Sequence, residues 1–427
     1  MNIVVPEGNT IVVNKSLNLA NDGLFINKNT ANFVIKDGAQ FIYDGEQPFN
    51  ATIEKNIAGY SGLEGNRSGY YFISNPTNNS TVAGISDNSF DLYSFDPTEV
   101  LEWRNHRENP IVERKTGYLY ANSKDVVLQF AGIFNNENGV FIPLKHYEGE
   151  APGREFPHFN LVGNPYSYPA YLQSEYSFYR IEGEAVVPCS GSVQPCEGIF
   201  VEAFHNEDEI FMSRVPVRNS SCALNINVSR NGDELLDRAV VRFDKAYDLH
   251  KFMLNPESTS ICIAKNGEEF AVVATEAKGE IPVNFKAEKN DRYTIAVDAE
   301  NVEAEYLHLI DNLTDADVDL LAAAASTGSA SYTFDAKTDD YAYRFKLVFS
   351  MEFNDVASME STDYACISNG NLVIDHIEGE ATLQIVDMLG RMVSTEIVSR
   401  SYNKTLNLKA GLYIINLNGL TQKLVVE

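Results

Sequence analysis

The chain has 427 residues, which is too long for one ordinary domain and suggests about two to four. Its 60 Asp and Glu residues against 33 Lys and Arg residues give a formal net charge of −27. This charge disfavours binding to nucleic acid or to an anionic membrane surface, because both need clustered cations. A hydrophobic fraction of 44% and a charged fraction of 22% are ordinary for a chain that buries a core, so disorder is excluded.

Alternation of apolar and polar residues with a period of two recurs along the chain, whereas helical periodicity is scarce. The segment 341–349 is typical, because its large apolar side chains alternate with small or charged ones. The segments 225–229, 294–298 and 383–387 follow the same pattern. The fold class is therefore predicted to be all-β.

Residues 1–60 contain short repeated units, since Asp22-Gly23 recurs fifteen residues later as Asp37-Gly38. Turn dipeptides between short apolar runs predict β-solenoid-like rungs, and a plain β-meander capping the next domain is the alternative. Solenoid rungs need about three or more neighbours to bury their faces. These few rungs are therefore expected to end a longer stack.

The first residues, 1–13, lack the cationic n-region and the sustained apolar h-region of a signal peptide. We therefore expect the native signal peptide to be missing from this sequence. No stretch approaches the roughly 18 uncharged apolar residues of a membrane-spanning helix, so no transmembrane segment is expected.

Residues 61–215 contain a larger duplication, in which the segment 70–76 matches the segment 159–165. Each copy ends in an Asn-Pro pair, which closes a strand with a turn because proline removes a hydrogen-bond donor. A strand that begins with glycine follows each copy, at Gly117 and at Gly198. We predict one β-sandwich made from two related halves.

Three further units follow. Residues 216–352 are predicted to form a second β-sandwich, within which the low-complexity stretch 322–331 is expected to be a floppy loop. Residues 353–363 are polar and acidic without periodicity, as is typical of a linker. Residues 364–427 form a final compact unit.

The final unit carries four consecutive motifs: ISNGNLVI at 367–374, LQIVDMLGRMV at 383–393, LKAGLYIINL at 408–417 and KLVVE at 423–427. In their order and spacing these motifs closely resemble the C-terminal sorting domain of the Bacteroidetes type IX secretion system. The signature residues taken from the resemblance are Gly370, Asp387, Gly390, Arg391, Gly411, Tyr413 and Lys423.

The resemblance implies a small C-terminal Ig-like sandwich and export through the outer membrane. The implied partners are the type IX secretion machinery and its sortase, which usually removes the domain and attaches the remainder to surface lipopolysaccharide. The overall expectation is a short β-solenoid-like N-terminal segment, two β-sandwich modules and this C-terminal sandwich. The protein is expected to be exported to the extracellular or outer-membrane surface.

The upstream region also resembles modules found beside such sorting domains in Bacteroidetes surface proteins. The matching segments are 159–166, 306–321, 332–336 and 344–349. Modules of this kind are mostly of unknown or adhesin-like function. The resemblance therefore assigns no host or glycan ligand.

Two candidate sites have a structural alternative. Trp103, the single Trp, lies in a local cationic patch and is a candidate sugar-stacking platform, or else a core residue. Cys189 and Cys196, with six residues between them, are a candidate disulfide, or else two small buried residues flanking a turn.

The segment 315–319 begins like a calcium loop, but it lacks the glycine and the bidentate glutamate that such a loop needs. It is expected to be a hairpin turn on an acidic surface. His308, which alternates between two leucines, is expected to be a strand residue.

No HExxH, GxSxG, Walker or GxGxxG motif is present, so the chain is expected to be neither an enzyme nor a holder of a metal or cofactor. Sequence cannot select a catalytic pair among 60 acidic residues. The leading hypothesis is the C-terminal part of an exported cell-surface protein, adhesin-like or structural. The alternative is a carbohydrate-binding or glycan-hydrolysing protein that uses the 61–215 sandwich.

Overall fold

The computed structural model describes most of the chain, and all structural statements below concern the described residues. These are residues 2–19, 24–43, 45, 47–62, 69–137, 139–148, 154–205, 207–214, 221–230, 234–353, 365–368, 371–387, 391–405, 408, 411–417 and 420–426. They form 36 β-strands, one α-helix and two 3-10 helices, so the all-β prediction is confirmed. Most of the predicted linker, 354–363, lies outside the described residues.

The N-terminal segment consists of short strands that pair in parallel. Strands β1 to β7 are Ile3–Val4, Ile11–Val13, Ser16–Leu19, Phe25–Ile26, Phe33–Ile35, Gln40–Tyr43 and Phe49–Ile57, and the 3-10 helices are Thr30–Asn32 and Tyr60–Gly62. Ile3 pairs with Phe25 and Ile11 with Phe33, so these layers lie 22 residues apart rather than fifteen. Rungs require such parallel stacking, whereas a meander pairs its neighbours antiparallel. The solenoid itself stays a prediction.

The duplicated region contains four sheets, one of which also takes in strands of the N-terminal segment. Strands β8 to β20 are Tyr71–Ser74, Phe90–Phe95, Trp103–Asn105, Gly117–Asn122, Val126–Phe134, Gly139–Pro143, Phe159–Gly163, Ala170–Tyr171, Phe178–Glu182, Ala185–Cys189, Ser192–Val193, Gly198–Glu202 and Glu209–Ser213. The sheet orders are β10-β9-β11-β8, β12-β7-β5-β2, β13-β20-β15-β18 and β14-β19-β16-β17. β8 pairs with β11 in the first half as β14 pairs with β19 in the second, which matches the sequence duplication.

The two halves approach each other at Gly117 and Gly198, which begin the equivalent strands β11 and β19. A Cβ atom on Gly117 would lie 2.7 Å from the carbonyl oxygen of Val162, and one on Gly198 would lie 2.9 Å from that of Ile73. The Cβ of a residue at 198 would also lie 3.2 Å from the Cα of Gly117. Backbone this close on both sides leaves room only for glycine.

The second sandwich is built from a single sheet that curls around one core. Strands β21 to β31 are Ala223–Arg230, Glu234–Arg242, Leu249–His250, Ser260–Lys265, Glu268–Ala274, Lys278–Lys286, Asp291–Glu300, Val302–Asp311, Ala316–Asp319, Ser331–Ala336 and Phe345–Phe353. Their order is β29-β28-β31-β26-β24-β25-β22-β21-β27-β30, with β23 also paired to β25. Leu309 of β28 and Tyr293 of β27, from opposite parts of this order, are buried in the same core.

The stretch 322–331, predicted to be a floppy loop, is largely helical, and that prediction was wrong. Helix α1 spans Leu320–Thr327. The carboxylate of Asp319 caps it by accepting hydrogen bonds from the second and third helical N–H groups, both at 3.0 Å. Gly328 ends it in the left-handed conformation, with a φ of 81°. Alanine has the highest helix propensity, so the alanine run forms a helix once both ends are capped.

Apolar packing crosses the boundaries placed at residues 60 and 215. Phe33 of the N-terminal segment packs in one core with Phe134 of the duplicated sandwich. Phe252 of the second sandwich is fully buried between Phe156 and Phe200, with ring centroids 4.5 Å from each. Because large aromatic surfaces are removed from water at both junctions, these units hold one another in place.

The C-terminal unit forms one five-stranded sheet. Strands β32 to β36 are Cys366–Ser368, Asn371–Asp387, Met392–Thr405, Gly411–Leu417 and Leu420–Val426. The order is β32-β33-β35-β36, with β34 on the other side of β33. The Ig-like arrangement implied by the sequence motifs stays a prediction.

Candidate functional site

The C-terminal sheet is organised around its long strand β33. This strand pairs with β34 from Asn371 to Val386, while its first residues also pair with β32 and its last with β35. Register shifts on both sides of Ile377 interrupt the β33–β34 ladder, and such bulges bend a strand. One bent strand therefore connects the two ends of the unit.

The unit has an apolar core of its own. Alternate side chains of β33 point inward, and Leu372, Ile374, Leu383 and Ile385 are almost completely buried together with Ile415 of β35. Burial of one such side chain contributes about 1.5–3 kcal/mol. Among the described residues, this core contains no side chain of the upstream modules.

The entry point of the unit is tied to its last strand by Gln422. The backbone N–H of Ala365 donates to Oε1 of Gln422 at 2.9 Å, and Nε2 of Gln422 donates back to the carbonyl of Ala365 at 2.5 Å. Both residues are buried. A side-chain amide thus replaces the ladder bonds that a neighbouring strand would make, and it holds the chain where it leaves the linker.

Of the seven signature residues, Gly370 and Gly390 lie outside the described residues. Gly411 begins β35 opposite Val426, and Tyr413 packs against the core. Gly411 is therefore the first residue of a strand, in agreement with the alternating residues that follow it in the sequence.

The remaining signature residues lie at or near strand ends. Asp387 ends β33, where its backbone pairs with Tyr413, and Lys423 of β36 pairs with Ile414. The side chain of Arg391, just before β34, is exposed. The backbones of Asp387 and Lys423 are therefore part of the sheet.

Trp103 lies in the first half of the duplicated sandwich and is half-buried. Its ring packs edge-on against Phe95, with centroids 5.0 Å apart, and against Phe200 at 5.6 Å. These contacts occupy the indole as part of an aromatic cluster. The core alternative therefore agrees with its surroundings better than a sugar platform does.

The disulfide considered for Cys189 and Cys196 is not formed, because both are free thiols. Cys196 is buried in the core that the N-terminal segment shares with the duplicated sandwich, whereas Cys189 lies beside Glu182 and Arg238. Burial raises the pKa of Cys189 to about 12 and raises that of Cys196 as well. The two thiols therefore stay protonated at neutral pH and are poor nucleophiles.

The acidic segment 315–319 contains a turn followed by a short strand and a helix cap. Asp317 accepts a hydrogen bond from Nδ1 of His308 at 2.7 Å, and Asp319 caps α1. His308 lies in β28, as predicted for a strand residue. Across the described ranges, no group of three or more His, Cys, Asp or Glu side chains is arranged to hold a metal ion.

Sequence reasoning missed two features. The bonds between Gln422 and Ala365 join positions 57 residues apart, and only strand pairing brings them together. A polar cleft between the two sandwiches, which includes Arg180 and Arg238, was also missed. No local pattern signals either feature, since each depends on side chains from distant strands.

The comparisons with known proteins identify the C-terminal unit. Residues 368–427 match the family described as the secretion system C-terminal sorting domain, so the resemblance read from the motifs is confirmed. The match implies a Bacteroidetes protein that interacts with the type IX secretion machinery and is exported to the cell surface or secreted. No curated protein and no solved structure gave a significant match to the chain. Within the described residues, the helices are too short to cross a membrane.

Proposed function

We propose that this chain, which ends in a secretion system C-terminal sorting domain, is an adhesin-like or structural protein of the outer cell surface. Residues 1–352 form the part that stays displayed, and residues 364–427 form the export address. The sortase of the secretion system removes this address within the linker 353–363. The remainder is then attached to surface lipopolysaccharide.

The sorting-domain match over residues 368–427 is the observation that carries the proposal. The apolar core of that domain, which includes Leu383 and Ile415, supports its removal. Cleavage in front of a unit with its own core leaves the apolar packing of the upstream modules intact. An address that is cut away after export needs this independence.

The packing of the upstream modules supports a presenting or spacing role. Phe252 joins the two sandwiches, and Phe33 joins the N-terminal segment to the first of them. Modules that share buried aromatic side chains do not hinge freely, because each movement would expose apolar surface to water. Such an array transmits force and keeps a binding region away from the cell surface.

Deletion of residues 364–427 tests the export address. In a Bacteroidetes host with a type IX system, we expect the deleted protein to disappear from intact-cell antibody labelling and to accumulate in the periplasm. Attachment of residues 353–427, the linker and the sorting domain, to an unrelated periplasmic protein is the matched gain-of-function arm, and it should bring that protein to the surface. Unchanged surface labelling after the deletion would contradict the proposal.

The proposal assigns no catalytic activity to the chain. Cells that lack the protein should lose attachment to a surface or partner cell, or lose envelope integrity, while the purified protein stays inactive in a broad hydrolase screen. Turnover of a glycan in that screen would replace this proposal with the glycan-hydrolysing alternative.

A further inference from the structure

A polar cleft lies where the duplicated sandwich meets the second sandwich. Strands β16 and β17 form one wall, and β21, β22 and β27 form the other. The cavity has a volume of about 290 Å³. Ligand pockets span roughly 300–1,000 Å³, so this one suits a ligand about the size of a single sugar ring.

The sheet wall presents a row of amides and carboxylates because of strand alternation. Ile226 and Val228 of β21 point into the core, which leaves Asn225 and Asn227 facing the cleft. On the neighbouring strand β27, Asp298 is the register partner of Asn225. The amide and carboxylate side chains of these two strands therefore lie side by side on the wall of the cleft.

The polar groups of this wall are held in fixed positions. Nδ2 of Asn227 donates to Oδ2 of Asp298 at 2.8 Å, and Nδ2 of Asn225 donates to Glu300 at 3.4 Å. The hydroxyl of Ser221 donates to the other oxygen of Glu300 at 2.9 Å. Each carboxylate keeps lone pairs for further donors, because an ionised carboxylate offers about four acceptor positions.

One arginine bridges both walls. Nε of Arg238 donates to Oδ1 of Asn227 at 2.7 Å, and Nη2 donates to Oε2 of Glu182 on the opposite sandwich at 3.2 Å. Nη1 lies 3.6 Å from Sγ of Cys189 on the same wall as Glu182. The guanidinium therefore fixes the width of the cleft, and ligand groups meet donors and acceptors that are already positioned.

The cations of the cleft are already neutralised. Besides the pair that bridges the walls, Arg180 pairs with Glu197 at 2.8 Å and Arg242 with Asp244 at 2.6 Å. A phosphate or carboxylate ligand would have to displace a carboxylate that is already bound. A cationic ligand would meet the carboxylates of Asp298 and Glu300 but also three guanidinium groups. The three arginines and the three acidic side chains of the lining balance, so the cleft suits a neutral ligand that forms hydrogen bonds.

We propose that this cleft binds one neutral polyhydroxylated ring, a saccharide unit, through Asn225, Asn227, Asp298 and Glu300. Sugar hydroxyls both donate and accept, and a wall of alternating amide and carboxylate groups satisfies both roles. The lining contains no aromatic side chain, so recognition rests on hydrogen bonds rather than on stacking. This inference does not depend on the route of export.

Saturation-transfer NMR and calorimetry on the purified full chain test the proposal. The probes are glucose, galactose, mannose and N-acetylglucosamine, with the 6-phosphate of each sugar as its charged counterpart. At least one neutral sugar should bind, and its charged counterpart should bind at least about tenfold more weakly. Binding of none of the neutral sugars, or tighter binding of the phosphorylated sugar, would overturn the proposal.

Variants place the binding in the cleft. The double substitution Asn225→Ala with Asn227→Ala should weaken binding of the neutral sugar about tenfold or more. Thr294→Ala is the matched control, because Thr294 lies on the same face of β27 but bonds to Thr333 instead of lining the cleft. It should bind as the unchanged protein does. Equal binding by the double variant and the control would place the sugar elsewhere and reject the cleft.

The unchanged protein gives a second measurement that does not depend on the folding of a variant. Ser190 and Ser221 line the cleft, so the neutral sugar should slow amide hydrogen exchange in the peptides that contain them, as followed by mass spectrometry. The peptide that contains Thr333, which is outside the lining, is the internal control and should exchange at the same rate with and without the sugar. Equal exchange of the lining peptides with and without the sugar that binds would also reject this site.

Discussion

Asn75 and Asn164 occupy equivalent places in the two halves of the duplicated sandwich and share three corresponding hydrogen bonds. Both are completely buried. Nδ2 of Asn75 donates to the carbonyls of Asn79 and Val112, each at 2.7 Å. Its Oδ1 accepts from the backbone N–H of Thr77 at 2.9 Å. The side chain of Asn75 thus bonds to the backbone of the turn at residues 77–79 and links this turn to Val112.

Asn164 repeats the arrangement. Nδ2 donates to the carbonyl of Tyr168, again four residues on, at 2.9 Å and to that of Val193 at 2.8 Å. Its Oδ1 accepts from the N–H of Tyr166 at 2.8 Å. The duplication seen in the sequence is therefore a duplication of hydrogen-bond chemistry, and the asparagine of each Asn-Pro pair is its centre.

Substitution of either asparagine should destabilise the duplicated sandwich. Asn75→Ala and Asn164→Ala each leave two backbone carbonyls and one N–H without their partner, so we expect each to cost about 2–4 kcal/mol in the free energy of unfolding. Urea denaturation of the purified protein measures this. Asn109→Ala, at an exposed position, should change the free energy by no more than about 0.5 kcal/mol. A cost as small for Asn164→Ala as for the control would contradict the structural role.

The buried ion pair of Arg344 and Asp311 should be sensitive to removal of one partner. Nη2 of Arg344 lies 2.9 Å from Oδ2 of Asp311, and both side chains are at most 1% exposed. Arg344→Met leaves a buried carboxylate unpaired and should cost about 3–5 kcal/mol. Arg292→Met is the matched control, because its pair with Asp335 is exposed and should contribute less than about 1 kcal/mol. Similar unfolding midpoints for the two variants would refute the prediction.

The same pair predicts loss of stability in acid. Burial by itself would raise the pKa of Asp311, but the hydrogen bonds from Arg344 outweigh it, so the pKa lies below its ordinary value of 3.8. A lowered folded-state pKa contributes stability that is complete above about pH 4 and is lost as pH falls through the folded-state value. Unfolding curves from pH 5 down to pH 2 should therefore show this loss in the unchanged protein, while Asp311→Asn, already without the charge, shows less of it.

His250 should give stability that weakens as pH rises. The hydrogen bond to Glu202, 2.6 Å from Nδ1, raises the pKa of His250 above 6.5 against the effect of burial, and Glu268 adds to the increase. A raised folded-state pKa means that the stabilisation is complete below about pH 6.5 and is lost as pH rises through the folded-state value. Denaturation at pH 5.5 and pH 8.5 should show this loss, and His250→Gln should remove it.

The pKa of His106 is shifted in the opposite direction to that of His250, so its pH dependence should have the opposite sign. Burial, followed by the charge of Arg104, lowers its pKa below 6.5. Its contribution is therefore complete above about pH 6.5 and is lost as pH falls, so His106→Gln should remove a loss of stability on the acid side. If both substitutions changed the pH profile in the same direction, the assigned environments of these histidines would be wrong.

Gln422 should matter for the sorting domain and for export. Gln422→Ala leaves the buried N–H and carbonyl of Ala365 unpaired, so it should destabilise the domain by about 1–3 kcal/mol and lower the surface-exposed fraction on intact cells. Asn403→Ala removes an exposed hydrogen bond to Asn371 in the same domain and should leave both quantities nearly unchanged. Full surface display of a measurably destabilised Gln422→Ala protein would separate folding of the domain from its recognition.

Several features follow from local sequence alone. The strand predicted at 225–229 is the centre of Ala223–Arg230, because period-two alternation with one buried face admits no other regular structure. Helix α1 was also readable, since Asp319, an alanine run and Gly328 are a cap, a helix former and a C-terminal stop. The low-complexity composition hid that pattern. The sorting domain was found from its motifs, whose glycine positions and alternating apolar residues are likewise local patterns in the sequence.

Tertiary structure decided where the charges go. The strand predicted at 341–349 begins only at Phe345, because Arg344 turns into the core to meet Asp311, 33 residues earlier. Arg238 reaches Asn227 on its own sheet and Glu182 on another module. Alternation is set by nearest neighbours and is written in the sequence, whereas burial of a charge is tolerated only beside a specific partner. Those partners come from strands that only the complete fold brings within hydrogen-bonding distance.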